Sequence, residues 1–461
     1  MKNYRLFLPG LTFAIGPVLS YLSLPFITKN VSISDYGIYT YYLSLLSIIS
    51  FLSLLPALNS TVNRYGSKRS ESYLNDLYIV KKLYYVAFFI YTSCVVIAYF
   101  FNDTVLSDFE FVVISASIFS VNMFNAIKSY LLINNDKAKY TTFVIIINVV
   151  QYSYLFYAIN SDDFSISDIL FGNLLLILFV IFYKIKSLFE VIRIVPIGNA
   201  HNSKLIKFLG MSVAISLSTI IFNNTDKIML EHLLDDPRSL ALYQVSYQIF
   251  SFPIESIYSL ISIFTPAFLY RAFDKDRELY LRNLRITFKL VLFLTFVISQ
   301  FLIVNENYLK SLLLDSSYIV SDSLPVLFLI SQSIFLLYLI VTNIFIVYDK
   351  RFYIIVSLSI ASIINMFLNW FLVSSLGYIG AAISTLIAYL ILMIIMLIIC
   401  YRLFDVNFFG RDDVILVLST PLAFYLFGDS YIAWTLSLSL VSILYFSKNI
   451  GKSYLGFLRG V

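Results

Sequence analysis

The chain has 461 residues, 60% of them hydrophobic and 13% charged, with a formal net charge of +5 and a mean hydropathy of +0.86. No water-soluble fold of this length has so much apolar surface to bury, so the bilayer is its solvent. Two cysteines, Cys94 and Cys400, and two histidines, His201 and His232, exclude a disulfide framework, a thiolate or imidazole metal site and most histidine-based catalysis. No metal or organic cofactor is expected.

A spanning helix needs roughly 20 apolar residues. Fourteen stretches approach or exceed that length: 6–28, 36–60, 82–102, 109–133, 140–159, 166–186, 205–230, 239–270, 283–304, 324–348, 352–375, 378–402, 412–428 and 430–447. Lys2 and Arg5 precede the first, and no small-residue cleavage site follows it. An uncleaved first helix is therefore expected. The last two stretches are the shortest. The expected fold is an all-α membrane protein of 12–14 transmembrane helices with a C-terminal hairpin; its division into two six-helix bundles around a central cavity is what the internal repeat and the family resemblance below imply. In residues this gives an N-terminal lobe at 1–200, a C-terminal lobe at 201–405, and a hairpin with a cytoplasmic tail at 406–461.

Alternate loops separate by charge. Most of the 32 lysines and arginines fall in one set, for example Arg64, Lys68 and Arg69, then Lys184, Lys186 and Arg193, then Arg271, Lys275 and Arg277. The opposite loops carry Asp103, Asp108, Asp162, Asp163, Asp235, Asp236 and Glu306. This is the positive-inside pattern, and it puts both termini in the cytoplasm. The longest external loop runs from about Asn305 to Ser323. No loop is long enough to form a domain, so function resides within the helices.

Charges inside hydrocarbon are costly and persist only against protein, each other or a watery cavity. Lys29, Lys128, the adjacent Asp226 and Lys227, Glu255 and Lys289 are placed this way. Asp226 lies roughly 28 Å along its helix from Lys207 at 1.5 Å per residue, close to the outer exit. The pair either lines a cavity or neutralises itself locally. Lys29 either contacts an anionic ligand or snorkels as an interfacial anchor. Glu255 sits beyond Pro253 in a stretch longer than the ~30 Å hydrocarbon core, which should bend at the proline. A desolvated carboxylate there suits ion coupling. A salt bridge to Lys289 or Lys128 is the alternative. Arg64, Arg271 and Arg285 lie at cytoplasmic helix ends, as topogenic charges or as a basic mouth for anionic headgroups. Embedded amides, among them Asn125, Gln248, Gln332 and Asn365, suit interhelical hydrogen bonds or, collectively, sugar contacts. Tyr39, Tyr243 and Tyr247 are candidates for sugar stacking.

The chain echoes itself. Gly10, Lys29 and Tyr39 in the first helical hairpin correspond to Gly210, Asp226-Lys227 and Tyr243 in the seventh and eighth segments. Both copies begin on the same side, so the lobes are expected to be parallel repeats about an axis normal to the membrane.

Leu24-Pro-Phe-Ile-Thr-Lys29 leading to Asp35-Tyr-Gly-Ile-Tyr39 resembles the first hairpin of the O-antigen and polysaccharide flippases. Asn224-Thr-Asp-Lys-Ile-Met-Leu230 with Leu242-Tyr-Gln-Val-Ser-Tyr-Gln248 resembles their seventh and eighth helices. Asn369-Trp-Phe-Leu-Val and Gly377-Tyr-Ile-Gly-Ala-Ala-Ile-Ser-Thr385 resemble their eleventh-to-twelfth turn. That family belongs to the multidrug/oligosaccharide-lipid/polysaccharide exporter superfamily. The resemblance implies alternating-access translocation of undecaprenyl-diphosphate-linked oligosaccharide across the bacterial cytoplasmic (inner) membrane, for O-antigen, lipopolysaccharide or capsule synthesis. It implies a cationic cavity, with Lys29, Arg64, Asn224, Asp226, Lys227, Tyr39, Tyr243 and Arg271 toward substrate and Glu255 toward the coupling ion. A polysaccharide polymerase and a chain-length regulator are the protein partners it suggests. No nucleic-acid partner is expected. The family commonly has twelve helices; the extra C-terminal pair here resembles the related lipid II flippases.

Two other readings remain. A membrane-embedded polysaccharide polymerase or glycosyltransferase usually needs a sizeable external loop carrying acids or arginines, and the external loops here are short. A multidrug exporter of the same superfamily would favour an acidic cavity, against the basic excess among the embedded charges. There is no Gly-rich phosphate loop with Lys-Ser/Thr, no Ser/His/Asp constellation and no dinucleotide fingerprint. A transporter, not an enzyme, is expected.

Overall fold

The computed structural model describes residues 18–52, 89–97, 99–100, 107–119, 137–159, 203–257, 269, 272–273, 275–417, 419 and 431–448. Regular structure among the described residues is helical throughout. Ten helices have defined ends: α1 (Ile33–Leu52), α2 (Lys137–Ile159), α3 (Ser203–Leu234), α4 (Pro237–Phe250), α5 (Arg277–Val304), α6 (Glu306–Leu313), α7 (Ser323–Val347), α8 (Arg351–Leu376), α9 (Tyr378–Phe404) and α10 (Tyr431–Phe446). Five described helices are long and apolar enough to cross a membrane: Tyr140–Ala158, α5, α7, α8 and α9. The stretches 324–348, 352–375 and 378–402 match α7, α8 and α9 to within two residues. The stretch 166–186, like Arg64, Lys128 and Arg271, lies outside the described residues.

The helices group into two compact units. One comprises Met1–Gln244 with Asn369–Tyr378, the other Val245–Leu368 with Ile379–Val461.

In the first unit α1 packs along α3. Ser32 caps α1. Its hydroxyl accepts from the Asp35 backbone N–H at 3.2 Å and donates to the Asp35 carboxylate at 2.6 Å, so one first-turn donor is satisfied and the capping hydroxyl is held in place. The turn from α3 to α4 is equally specified. Asp235 adopts a positive φ of 50°. Asp236 accepts from the Ser239 N–H and hydroxyl at 3.3 and 2.7 Å. Pro237 then occupies the first helical position, where its missing N–H costs nothing. The two helix starts meet at Gly37, where a Cβ would overlap the Pro237 carbonyl. Arg238 Nε donates to Ser34 Oγ at 3.4 Å beside this contact. The Asp35-Tyr-Gly signature thus comprises a helix cap, a buried tyrosine (Tyr36, 3% exposed) and an obligatory glycine.

In the second unit α5 packs on α7 and on α10. Asp276 caps α5 by accepting from the Glu278 and Leu279 N–H groups. Its inward stripe, Tyr280, Leu284, Phe288, Val291 and Thr295, follows the three-to-four spacing of one helical face. Among the described spanning helices α7 is the most enclosed and α8 the least. One face of α8 exposes Ile363, Met366, Phe367 and Trp370. In a bilayer such a face is solvated by lipid tails, so it carries no penalty. In the segment Asn369–Tyr378, which belongs to the first unit, Gly377, with φ 59°, ends α8 by donating its N–H to the Val373 carbonyl at 2.8 Å, the left-handed cap for which glycine is suited.

The C-terminal helix is joined to α5 through polar and aromatic contacts. Asp413, 0% exposed, accepts from the Tyr445 hydroxyl, from the Gly410 N–H at 2.6 Å, and pairs with Lys289 at 3.6 Å. The Phe293 and Tyr445 rings stack at 6.2 Å. Lys448 pairs with Asp412 at 2.9 Å.

Between α5 and α7 the short helix α6 was too brief for a hydropathy signal. Lys310 pins it, reaching Glu306 at 2.5 Å, Asp322 at 2.9 Å and the Val320 carbonyl at 3.4 Å. Partial burial alone would lower the Lys310 amine. Its hydrogen bonds to Glu306 and Asp322, and their charges, outweigh that and hold it above its ordinary 10.5.

Candidate functional site

Each unit holds a carboxylate fed by a tyrosine hydroxyl, buried at Asp226 and half-buried at Glu255. In the first, α3 carries Asp226 inward at 5% exposure. Its Oδ2 accepts from Tyr243 of α4, and its Oδ1 accepts from the Lys227 backbone N–H at 2.9 Å. The tight α3–α4 turn makes this possible by returning Tyr243 to the level of Asp226. Tyr243 is itself 0% exposed. Its hydroxyl, rather than its ring face, is the group engaged in polar chemistry. Lys227 is half-buried beside the carboxylate. Desolvating an unpaired charge is costly, so hydrogen bonds and the adjacent ammonium are what allow Asp226 to stay where it is.

The neighbouring candidates separate into distinct settings. The Asn224 amide returns to its own helix, donating to the Ile220 carbonyl at 2.9 Å. Tyr39, half-buried, lies against Tyr36 with ring centroids 6.2 Å apart. Lys29 is exposed at the end of the helical stretch 18–30.

In the second unit α4 runs into a break. The helix leaves α geometry after Phe250, turns at Ser251 and resumes at 252–257. This is the expected bend at Pro253, which has no N–H for the preceding turn. Glu255 follows the break. Its Oε1 accepts from the Tyr247 hydroxyl and from Gln332 Nε2 of α7 at 2.6 Å. Gln332 Nε2 also donates to the Tyr247 oxygen at 2.6 Å. Phe328 packs edge-on against Tyr247 at 5.5 Å. Lys289 pairs with Asp413 at 3.6 Å.

Sequence reasoning placed Asp226, Tyr243, Tyr247 and Glu255 in helices but did not join them into pairs. Gln332 was one amide among several. Asp413 was not singled out at all, because beside Arg411 and Asp412 at the start of an apolar segment it reads as an ordinary boundary charge. Among the described residues there is no group of three or more His, Cys, Asp or Glu side chains arranged to hold a metal ion.

No protein-family model matches the chain, and no curated protein matches it. Solved structures do. The lipid II flippase MurJ in an inward closed conformation is similar over 96% of this chain and 98% of its own, at 17% identity and a TM-score of 0.57. An outward-facing multidrug resistance MATE family transporter of the MOP superfamily is similar over 85% and 93%, at 12% identity and 0.57. A MOP superfamily transporter from Pyrococcus furiosus, described as having a binding pocket of reverse polarity, is similar over 85% and 94%, at 12% identity and 0.55. The chain therefore has the all-helical membrane fold that these flippase and exporter structures share.

Proposed function

We propose that the protein is a lipid-linked oligosaccharide flippase. It moves undecaprenyl-diphosphate-linked repeat units across the bacterial cytoplasmic membrane for O-antigen or capsular polysaccharide synthesis, by alternating access coupled to an ion gradient. The observation that carries this reading is the buried Asp226–Tyr243 pair with Lys227 beside it. A bilayer protein keeps such groups in its helices when they serve a substrate or ion path. The likeness to MurJ extends over 96% of the chain, against 85% for the MATE transporter, which favours a lipid-linked cargo over a soluble drug.

In this reading Lys227, Lys29, Arg64 and Arg271 supply positive partners for the diphosphate, which needs charge-assisted hydrogen bonds once desolvated. Asn224 and Tyr39 border the sugar, and the enclosed Tyr243 acts on it only through Asp226. Asp226 holds Lys227 and Tyr243 in register, and Glu255 carries the coupling ion. Both termini are cytoplasmic, and a polymerase and chain-length regulator act on the product.

The test is twofold. Lys227→Ala should abolish surface polysaccharide while membrane insertion persists; normal surface polymer would remove Lys227 from the mechanism. Purified protein in vesicles should flip a fluorescent undecaprenyl-diphosphate oligosaccharide faster under an imposed ion gradient, and Glu255→Gln should lose that dependence. Export of cationic drugs with no flipping of the lipid would favour the multidrug exporter.

A further inference from the structure

Helix α6 follows α5 after a break at Asn305, whose backbone leaves helical geometry. One apolar stripe crosses that break. Val297 and Phe301 are exposed on α5, and Tyr308 and Leu312 are exposed on α6. Their successive helical spacing keeps all four on one face. Ile319, at 79% exposure, projects from the loop that follows. Asn307 and Ser311, also exposed, form a polar flank beside Tyr308 and Leu312. The stripe is held in place from beneath. Leu313, Tyr318 and Val320 are buried, and Lys310 reaches Asp322 at 2.9 Å and the Val320 carbonyl at 3.4 Å.

The level of this stripe in the bilayer follows from charge. Between Lys289 and Glu306 the chain carries no charged residue. The run 290–305 is roughly 24 Å long at 1.5 Å per residue, shorter than the ~30 Å hydrocarbon core. Helix α6 therefore falls at the edge of the hydrocarbon and not out in water. Charges at that level persist when they face each other, and Lys310 does pair with Glu306 and Asp322.

We propose that α6 and Ile319 form an interfacial anchor, a surface that docks into the headgroup–acyl boundary of the leaflet at this end of α5. With cytoplasmic termini this is the outer leaflet. Tyr308, Leu312 and Ile319 enter the boundary, while Asn307 and Ser311 face the headgroups. Tyrosine suits that level, because its ring is apolar and its hydroxyl is not. Amphipathic helices of this kind seat about 5–10 Å into the boundary. Lipid fits the surface better than a protein partner does. The stripe continues the membrane face of α5, and the charges of α6 that could steer a partner are paired within the loop. The anchor thereby sets the depth at which the connected ends of α5 and α7 lie.

The full-length protein is placed in phosphatidylcholine nanodiscs with bimane attached at Leu312→Cys, Ile319→Cys or Asn307→Cys. Protein of unchanged sequence, treated identically, gives the background from Cys94 and Cys400. Phosphatidylcholine carrying a nitroxide just below the headgroup or near the chain end reports depth, and aqueous iodide reports contact with water. The labels at Leu312→Cys and Ile319→Cys should lose most fluorescence to the shallow nitroxide and be shielded from iodide, whereas the label at Asn307→Cys should be reached by iodide. Adding Tyr308→Asp, at an exposed position that leaves the ion pairs intact, should reduce shallow quenching at Leu312→Cys and admit iodide. Iodide access with no nitroxide quenching at Leu312→Cys would put α6 in water. Quenching by neither agent would put protein over it, and strongest quenching by the deep nitroxide would put it inside the hydrocarbon. Each of these would overturn the proposal. No lipid-linked cargo or ion gradient enters the measurement, so its outcome is independent of the flippase reading.

Discussion

Gly37 lies so close to Pro237 that any side chain at position 37 would collide with the Pro237 carbonyl. Gly37 lies one turn into α1 and Pro237 begins α4, 200 positions apart in the chain, and their contact fixes how closely the two helices approach there. Backbone cannot rotate out of the way as a side chain can. Gly37→Ala should therefore lower Tm, by an overpacking cost of about 1–3 kcal/mol. Gly210→Ala is the control. A Cβ there meets nothing within 4 Å, and alanine is the better helix former by roughly 1 kcal/mol. Thermal unfolding in detergent should show opposite signs for the two variants.

Asp226 and Tyr243 are a buried hydrogen-bonded pair, so they should behave non-additively. Tyr243→Phe leaves the carboxylate without its side-chain donor and should cost about 1–3 kcal/mol. Asp226→Asn with Tyr243→Phe should cost less than the sum of the single changes, because the buried charge is gone. A double-mutant thermal cycle measures the coupling. Additive changes would show that the two groups act independently.

Asp413 is the acceptor that Lys289, Tyr445 and Gly410 share. Asp413→Ala strands a part-buried ammonium and a buried hydroxyl, and breaking a buried pair costs about 3–5 kcal/mol. The readout is proteolysis of the C-terminal helix in detergent. Cleavage between positions 431 and 448 should accelerate sharply in Asp413→Ala, and less in Asp413→Asn, which retains a hydrogen-bonding oxygen. Unchanged cleavage would mean that the aromatic stack of Phe293 and Tyr445 suffices.

Lys310 gives the pH dependence. Its folded-state amine is held above the ordinary 10.5, so its contribution is complete below that value and is lost as pH rises through the raised one. The contribution is small, about 0.2–1 kcal/mol, because water screens the cluster. The Tm difference between the protein and Lys310→Met should stay constant from neutral pH to about pH 10 and narrow above it. A gap that narrows on acidification instead would assign the effect to Glu306 and Asp322.

Much of the architecture was legible before any coordinates. Spans 324–348, 352–375 and 378–402 were readable because hydrocarbon thickness imposes a length on each helix independently of its neighbours. The bend near Glu255 was readable because proline lacks a donor wherever it sits. Helix α6 was not, since eight residues are too few to stand out from a loop. Asp35 and Gly37 stood out as a motif, but their reasons, a cap on Ser32 and a close approach to Pro237, belong to different ranges of the chain.

What the sequence determined by itself is the solvent this protein lives in, its helical class and the rarity of its embedded charges. Hydropathy and charge count are local sums, carried by each segment alone. Only the tertiary structure decided which partner each charge found: Tyr243 for Asp226, Tyr247 and Gln332 for Glu255, Tyr445 and Lys289 for Asp413. Those pairings depend on the facing of helices about their own axes. A rotation of one residue, about 100° at 3.6 residues per turn, would undo them without changing any segment's hydropathy.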